Sequence, residues 1–208
     1  MTASTYKARS RGRPATVAIR VIDTTEGLLS QGHRFGELSV ERLLLEADVS
    51  RSSFYANFTD KSALLRAMAE RTMAEIAAAG ESWTEAKHAL GPDAAAATVR
   101  EIIRTYRRHA PLISAIVEAA PSDPELGSVW RARREAFAAR VAVGIREEQS
   151  RGFVAPDLDI ERTSSYVTLL VDTAVLDHIQ NGSRGQDRRV AAAIGRMGWL
   201  AYYGRPQL

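Results

Sequence analysis

Apolar residues recur three and four positions apart along most of this chain, and no stretch alternates convincingly between apolar and polar. Val17, Ile19, Val21, Ile22, Leu28 and Leu29 predict a first helix ending near Gln31. Pro14 is suited to open it, because its missing N–H would be unpaired there anyway. Gly32 and Gly36 punctuate the loop that follows. Ser39 suits the N-cap of a second helix through Val40, Leu43 and Leu44, Ser50 caps a very short third, and Asp60 caps a fourth from Lys61 to about Ala79. Gly80 and Gly91 bracket a looser stretch. Further helices are predicted from Pro92 or Asp93 to Arg108, Pro111 to Pro121, Pro124 to Gly152, Asp159 to Asn181-Gly182, and about Gln186 to Tyr203. The pattern gives an all-α chain of about nine helices with no internal repeat.

The segment Leu38–Leu65 carries the strongest local signal. It predicts three short helices joined by tight turns, with hydroxyl, basic and aromatic residues gathered where the middle one begins. That is the arrangement of a helix-turn-helix, whose second helix enters the major groove and whose N-terminal turn reaches base edges. Here that turn is Ser50-Arg51-Ser52-Ser53. Arg51 is the best candidate for reading a guanine edge or gripping a phosphate. Ser52 and Ser53 can donate to phosphates or bases, and Ser39 and Ser50 are counted with them as contacts. Tyr55 can bring a phenol to a phosphate. Lys61 sits in the first turn of the next helix, where its charge adds to free N–H groups and predicts a phosphate site. Val40, Leu43, Leu44, Val49, Phe54, Phe58, Leu64 and Leu65 would fill a small three-helix core.

Ala47-Asp48-Val49-Ser50, then Phe54-Tyr55-Ala56-Asn57-Phe58, then Asp60-Lys61 resemble the DNA-binding half of the TetR family of bacterial transcriptional regulators. The match runs over roughly residues 15–66 and holds in both spacing and residue type. Two positions depart from the family pattern. Asp48 stands where the turn usually has glycine, and aspartate is among the few residues that tolerate a left-handed backbone. Leu44 stands where alanine is usual, which implies a slightly respaced core. The predicted organisation is a basic arm over 1–13, a DNA-binding domain over 14–66 whose last helix continues to about 79, and a ligand-binding and dimerisation domain over 80–208.

Charge sharpens this picture. The net charge is only +3, yet the first twenty residues hold Lys7, Arg9, Arg11, Arg13 and Arg20 and no acid, leaving a net −2 on the remainder. A basic arm on a near-neutral body suits an anionic partner at one end, although a solvated tail would have the same composition. Beside a helix-turn-helix, the extended Arg11-Gly12-Arg13-Pro14 segment fits a minor groove, with Arg11 and Arg13 as contacts. With 45% hydrophobic and 25% charged residues the composition is that of a globular protein. No run approaches the roughly 18 apolar residues of a membrane span. Cysteine is absent, which removes disulfides and thiolate chemistry and makes a reducing cytoplasm the expected location, at the nucleoid when DNA is bound.

The second half is read as sensor and seam. Val190, Ile194, Met197 and Ala201 form one stripe and are the predicted dimer contacts, with intramolecular core as the plainer alternative. The resemblance implies a dimer built as a four-helix bundle from the last two helices of each subunit. Tyr106, Trp130, Phe137 and Trp199 are large aromatics among small residues, a composition that either packs or lines a cavity. Family resemblance favours an inducer pocket, and the tail Trp199-Leu200-Ala201-Tyr202-Tyr203-Gly204 is similar to the ethionamide-regulator-like branch, whose pocket is long and apolar. Glu118 and Asp172 are candidate polar anchors, or else ion-paired or exposed, and His109 and His178 are read as structural or exposed.

Enzyme chemistry finds no footing. The sequence has no glycine-rich phosphate loop, nucleophile elbow or metal-ligand spacing among its four histidines, so no cofactor or metal is expected. The expected function is a homodimeric, ligand-responsive repressor that binds a double-stranded operator and is released by a small, largely apolar effector, with no membrane partner. The alternative is a DNA-organising protein with no sensor. Deleting residues 1–13 is expected to weaken operator binding and flatten its salt dependence. A salt titration by fluorescence anisotropy checks this, and unchanged affinity and slope would remove the arm from the interface.

Overall fold

The computed structural model describes residues 16–80 and 91–204. Among them are nine α-helices: α1 Val17–Ser30, α2 Val40–Ala47, α3 Arg51–Tyr55, α4 Lys61–Ala79, α5 Gly91–Arg108, α6 Ala110–Ala119, α7 Pro124–Ser150, α8 Ile160–Asn181 and α9 Asp187–Tyr203. Two short 3₁₀ turns, Phe35–Glu37 and Arg184–Gln186, complete the set, and no strand occurs among the described residues. The arm contacts expected at Arg11 and Arg13 lie outside the described residues. So does Pro14, and α1 begins later than the position that residue suggested. Its cap is Thr16, held in an extended conformation.

The helix starts follow one local rule. Six helices begin after a short polar side chain that accepts the backbone N–H three residues on, meeting a donor that the helix leaves unpaired. Thr16 takes Ile19, Ser39 takes Arg42, Ser50 takes Ser53, Asp60 takes Ala63, Asp123 takes Leu126 and Asp159 takes Arg162, over 2.7 to 3.4 Å. The α2–α3 turn closes through Asp48, the described non-glycine residue with positive φ, at φ 50° and ψ 56°. Arg20 donates to its carbonyl at 3.3 Å, tying that turn to α1.

The chain divides into two compact units, residues 1–64 and 65–208. In the first, α1, α2 and α3 pack around Val21, Leu29, Phe35, Leu38, Leu43, Phe54 and Phe58, all buried, with the Phe54 and Phe58 rings 5.4 Å apart. Val40 and Leu44 are only half-buried, so the respaced core expected from Leu44 is built mainly on Leu43.

In the second unit α5 is the hub. It packs along α9 and touches α6 and α8, while α7 lies along α8. Its buried face is Ala95, Ala96, Val99, Ile102, Ile103 and Tyr106. At Gly195 the α9 backbone comes so close that an added Cβ would overlap the backbone of Ala95 and Ala96. Near the other end of the pair, Arg107 of α5 grips Asp187 at the start of α9 with contacts of 2.6 to 3.1 Å. His178 of α8 joins them, its Nε2 lying 2.8 Å from Asp187 Oδ1, and its ring is buried.

The hydrogen bond from Arg107, helped by His178, holds the Asp187 carboxyl below the ordinary carboxylate range. A depressed folded-state pKa contributes stability that is complete above the unfolded value and is lost as pH falls through the folded value. Asp187→Asn is therefore expected to destabilise the protein by about 2 kcal/mol near pH 7. The gap between the two proteins should close below the ordinary value of 3.8. Urea denaturation at stepped pH measures it, and a gap that persists in acid would contradict this account.

Candidate functional site

The short helix α3 is fixed from below and open above. Phe54 is fully buried and meets the Tyr55 ring edge-on at 5.3 Å. Around that anchor Ser50, Arg51, Ser52 and Tyr55 are exposed. The Ser50 hydroxyl accepts from the Ser53 N–H at 3.1 Å, donates to Ser53 Oγ at 2.8 Å and lies 3.1 Å from Ser52 Oγ. The Arg51 guanidinium stands 5.5 Å from the centre of the Tyr55 ring and donates to Glu41 Oε1 at 3.1 Å. Both partners of that ion pair are about two-thirds exposed, so solvent screens it and a phosphate or base edge can displace it. The Glu41 carboxyl is held below its ordinary pKa chiefly by a backbone hydrogen bond at the helix start, and secondarily by Arg51. Arg51 is thus prepositioned on an aromatic face in a loose pair. Ser39 spends its acceptor on capping α2 but remains exposed.

Lys61 differs from its expected role. Its ammonium donates to three backbone carbonyls, those of Phe35 at 2.9 Å, Gly36 at 3.1 Å and Leu38 at 2.8 Å, while lying 4.9 Å from the centre of the Phe35 ring. An ammonium has three N–H donors, and all three are used. Burial also lowers its pKa. Lys61 therefore ties α4 to the 3₁₀ turn before α2, and the free phosphate grip predicted for it is replaced by a structural tie.

The second unit encloses a cavity of about 20 Å³, close to the room one water needs. Ile76, Ile102, Phe137, Val167 and Val171 supply its apolar wall, with Gly80, Thr168, Arg133 and Asp172 beside them. Asp172 accepts from Arg133 Nη1 at 3.1 and 3.3 Å and from the Tyr106 hydroxyl at 3.0 Å. The Tyr106 phenol is driven well above the ordinary tyrosine range by burial and by the Asp172 carboxylate, and so stays a donor. Trp130 stands edge-on to Tyr106, with centroids 6.5 Å apart.

Residues 95–193 match the family model for the C-terminal domain of transcriptional regulator EthR. An HTH-type transcriptional regulator EthR from Mycolicibacterium smegmatis is 28% identical over 150 residues, covering 72% of this chain and 67% of that one. In backbone the chain is similar to Salmonella enterica GusR, with a TM-score of 0.72 at 16% identity over 94% of this chain and 99% of that one. It is also similar to a TetR-family structure from Mesorhizobium loti, with a TM-score of 0.68 at 21% identity over 92% and 98% of the two chains. The backbone thus has the fold of TetR-family structures, and residues 95–193 resemble the C-terminal domain of EthR.

The expected ligand residues separate by position. Phe137 and Asp172 line the cavity, while Tyr106 and Trp130 stand behind Asp172. Trp199 instead packs against Tyr203, with ring centroids 5.4 Å apart, and is not part of the cavity wall, which takes no residue from α9. Glu118 is exposed. Of the expected dimer stripe, Met197 and Ala201 are exposed, whereas Val190 is half-buried and Ile194 is 5% exposed. Ile194 turns inward because the neighbouring Gly195 seats that face of α9 on α5. Sequence reasoning missed Arg133. A signal existed: Leu126, Trp130, Phe137 and Val141 form an apolar stripe along α7, and Arg133 falls on it.

Arg51→Ala is expected to weaken operator binding by about 1–3 kcal/mol without lowering stability. Lys61→Met is expected to lower stability by a similar amount, about 1–3 kcal/mol, because three carbonyls lose their donor, while leaving the salt slope of binding unchanged. Anisotropy and thermal denaturation on both variants would expose any exchange of these roles.

Proposed function

We propose that this protein is a DNA-binding transcriptional regulator of the TetR family, a homodimeric repressor released from its operator by a small, largely apolar molecule bound in the second unit. The observation that carries the DNA-reading half is the exposed Ser50–Tyr55 face of α3 on its buried Phe54 anchor, with Arg51 free to exchange Glu41 for DNA. Ser39, Ser50, Ser52, Ser53 and Tyr55 are assigned as supporting contacts, and the basic arm with Arg11 and Arg13 as a minor-groove contact. One such helix reads few base pairs, so a pair about 34 Å apart on one face of the duplex is needed for specificity.

The dimer assignment rests on apolar surface that the protomer leaves uncovered. On α8, Tyr166 is 67% exposed and Leu169 and Leu170 are open. On α9, Met197 is 54% exposed and Leu200 is open. A groove of about 270 Å³ runs between them, lined by Thr163, Tyr166, Leu170, Met197, Gly198 and Ala201. Large side chains and small floors side by side suit helices of a second copy. The seam is assigned to Tyr166, Leu170, Met197 and Ala201. The effector acts by preferring one of two protomer arrangements, and it shifts them only by its difference in affinity. No described helix is long and apolar enough to cross a membrane, and the cytoplasm is the proposed location.

An electrophoretic mobility shift with the chain's own upstream DNA tests the core of this reading. Preference over random DNA at moderate salt supports it, and equal binding to both contradicts it. Leu170→Glu with Met197→Glu is expected to give a folded monomer by light scattering that binds the operator at least tenfold more weakly, since desolvating four carboxylates at a two-fold seam disfavours assembly. A dimer that survives both substitutions would move the seam elsewhere.

A further inference from the structure

The basic turn of α3 has an acidic neighbour from another helix. Glu41, in the first turn of α2, places Oε1 3.1 Å from Arg51 Nη1. A backbone hydrogen bond at the start of α2, with Arg51 adding to it, holds its carboxyl below the ordinary range, so at neutral pH it is an acceptor only. Leu45 follows one turn along the same face of α2 and is 81% exposed. The first helix of a helix-turn-helix crosses the DNA backbone, where donors are needed for phosphates. An acid and an apolar side chain offer none, so this face of α2 is not built to grip phosphate.

A carboxylate brought to DNA has few partners. Phosphates repel it, and so do guanine N7 and O6 and thymine O4, which are all acceptors. Adenine sets its N6 donor beside the N7 acceptor. The cytosine N4 amine is the donor that suits a carboxylate. Arg51 has the complementary need, because a guanidinium takes guanine O6 and N7 together. The major-groove edge of one G·C pair therefore runs acceptor, acceptor, donor, and Arg51 beside Glu41 presents donor, donor, acceptor. Their hydrogen bond occupies Nη1 and leaves the rest of the Arg51 fork for the guanine.

We infer that Glu41 is a second base-reading residue, which accepts from a cytosine N4 amine while Arg51 holds the guanine paired to it. Helices α2 and α3 then select a G·C pair jointly in each half-site. This rests on the proposed DNA-reading role of α3 and specifies what its first turn reads. The acid also sorts the partners of Arg51. Turning to a phosphate brings that anion against Glu41 or strips Glu41 of its cation, whereas a G·C edge satisfies both side chains at once. Glu41 thus makes a residue able to hold any DNA prefer one sequence.

Selection by the full-length protein from a duplex library with a randomised centre gives the preferred half-site, and fluorescence anisotropy then compares single base-pair changes. Arg51→Ala and Glu41→Ala are expected to lose preference at the same G·C pair, by about fivefold or more each. Arg51→Ala should also weaken binding to every sequence, whereas Glu41→Ala should bind random DNA no more weakly than the wild type. N4-methylcytosine at that pair keeps base pairing but blocks the major-groove N–H of the amine. It is expected to weaken the wild type by a similar factor and to leave Glu41→Ala unaffected. Because the methylated duplex interrogates the wild type directly, the inference stays decidable even if Glu41→Ala folds poorly. A Glu41→Ala protein with the wild-type preference at every pair, or a wild type indifferent to N4-methylation at every selected cytosine, would overturn the inference and leave Glu41 as a counter-ion to a reading Arg51. If the wild type selects no sequence, the DNA-reading role itself fails and takes the inference with it.

Discussion

The close approach of α9 to α5 at Gly195 is the constraint on which the second unit depends. Two helices can come this near only where one offers no side chain and the other offers alanines, here Ala95 and Ala96. Once the pair is seated, α5 must present its remaining buried residues to other neighbours. Ile102 goes to the cavity wall, Tyr106 to Asp172 of α8, and Arg107 to Asp187 at the start of α9. Fixing α5 against α9 thus fixes where the polar residues of α8 are satisfied. The same seating turns Ile194 inward and leaves Met197 and Leu200 outward, so it also determines which face of α9 is free for a second copy.

The first unit relies on short polar side chains near helix ends. Ser50 both caps α3 and orders the hydroxyls of Ser52 and Ser53, so stability and the reading surface share one residue. Lys61 shows the opposite outcome. At a helix start its charge suits a phosphate, yet three carbonyls within 3.1 Å claim every donor it has. A nearby backbone acceptor in a half-buried setting outcompetes a distant solvated anion, because leaving those carbonyls unpaired is costly and hydrating a surface phosphate is not.

Sequence by itself determined the helical class, most helix ends and the α3 turn, because caps, glycines, prolines and apolar periodicity act over four residues or fewer and need no distant partner. Asp48 in its left-handed turn and the Asp159 cap were legible for that reason. Tertiary structure decided what each exposed or buried polar group does. Whether Arg133 joins Asp172, whether Lys61 meets a carbonyl, and whether Ile194 or Met197 faces outward depend on residues 23 to 99 positions away, brought together by packing. Those long-range contacts are set by the close fit of α9 on α5 and of the small core around Phe54, and no periodicity along the chain encodes them.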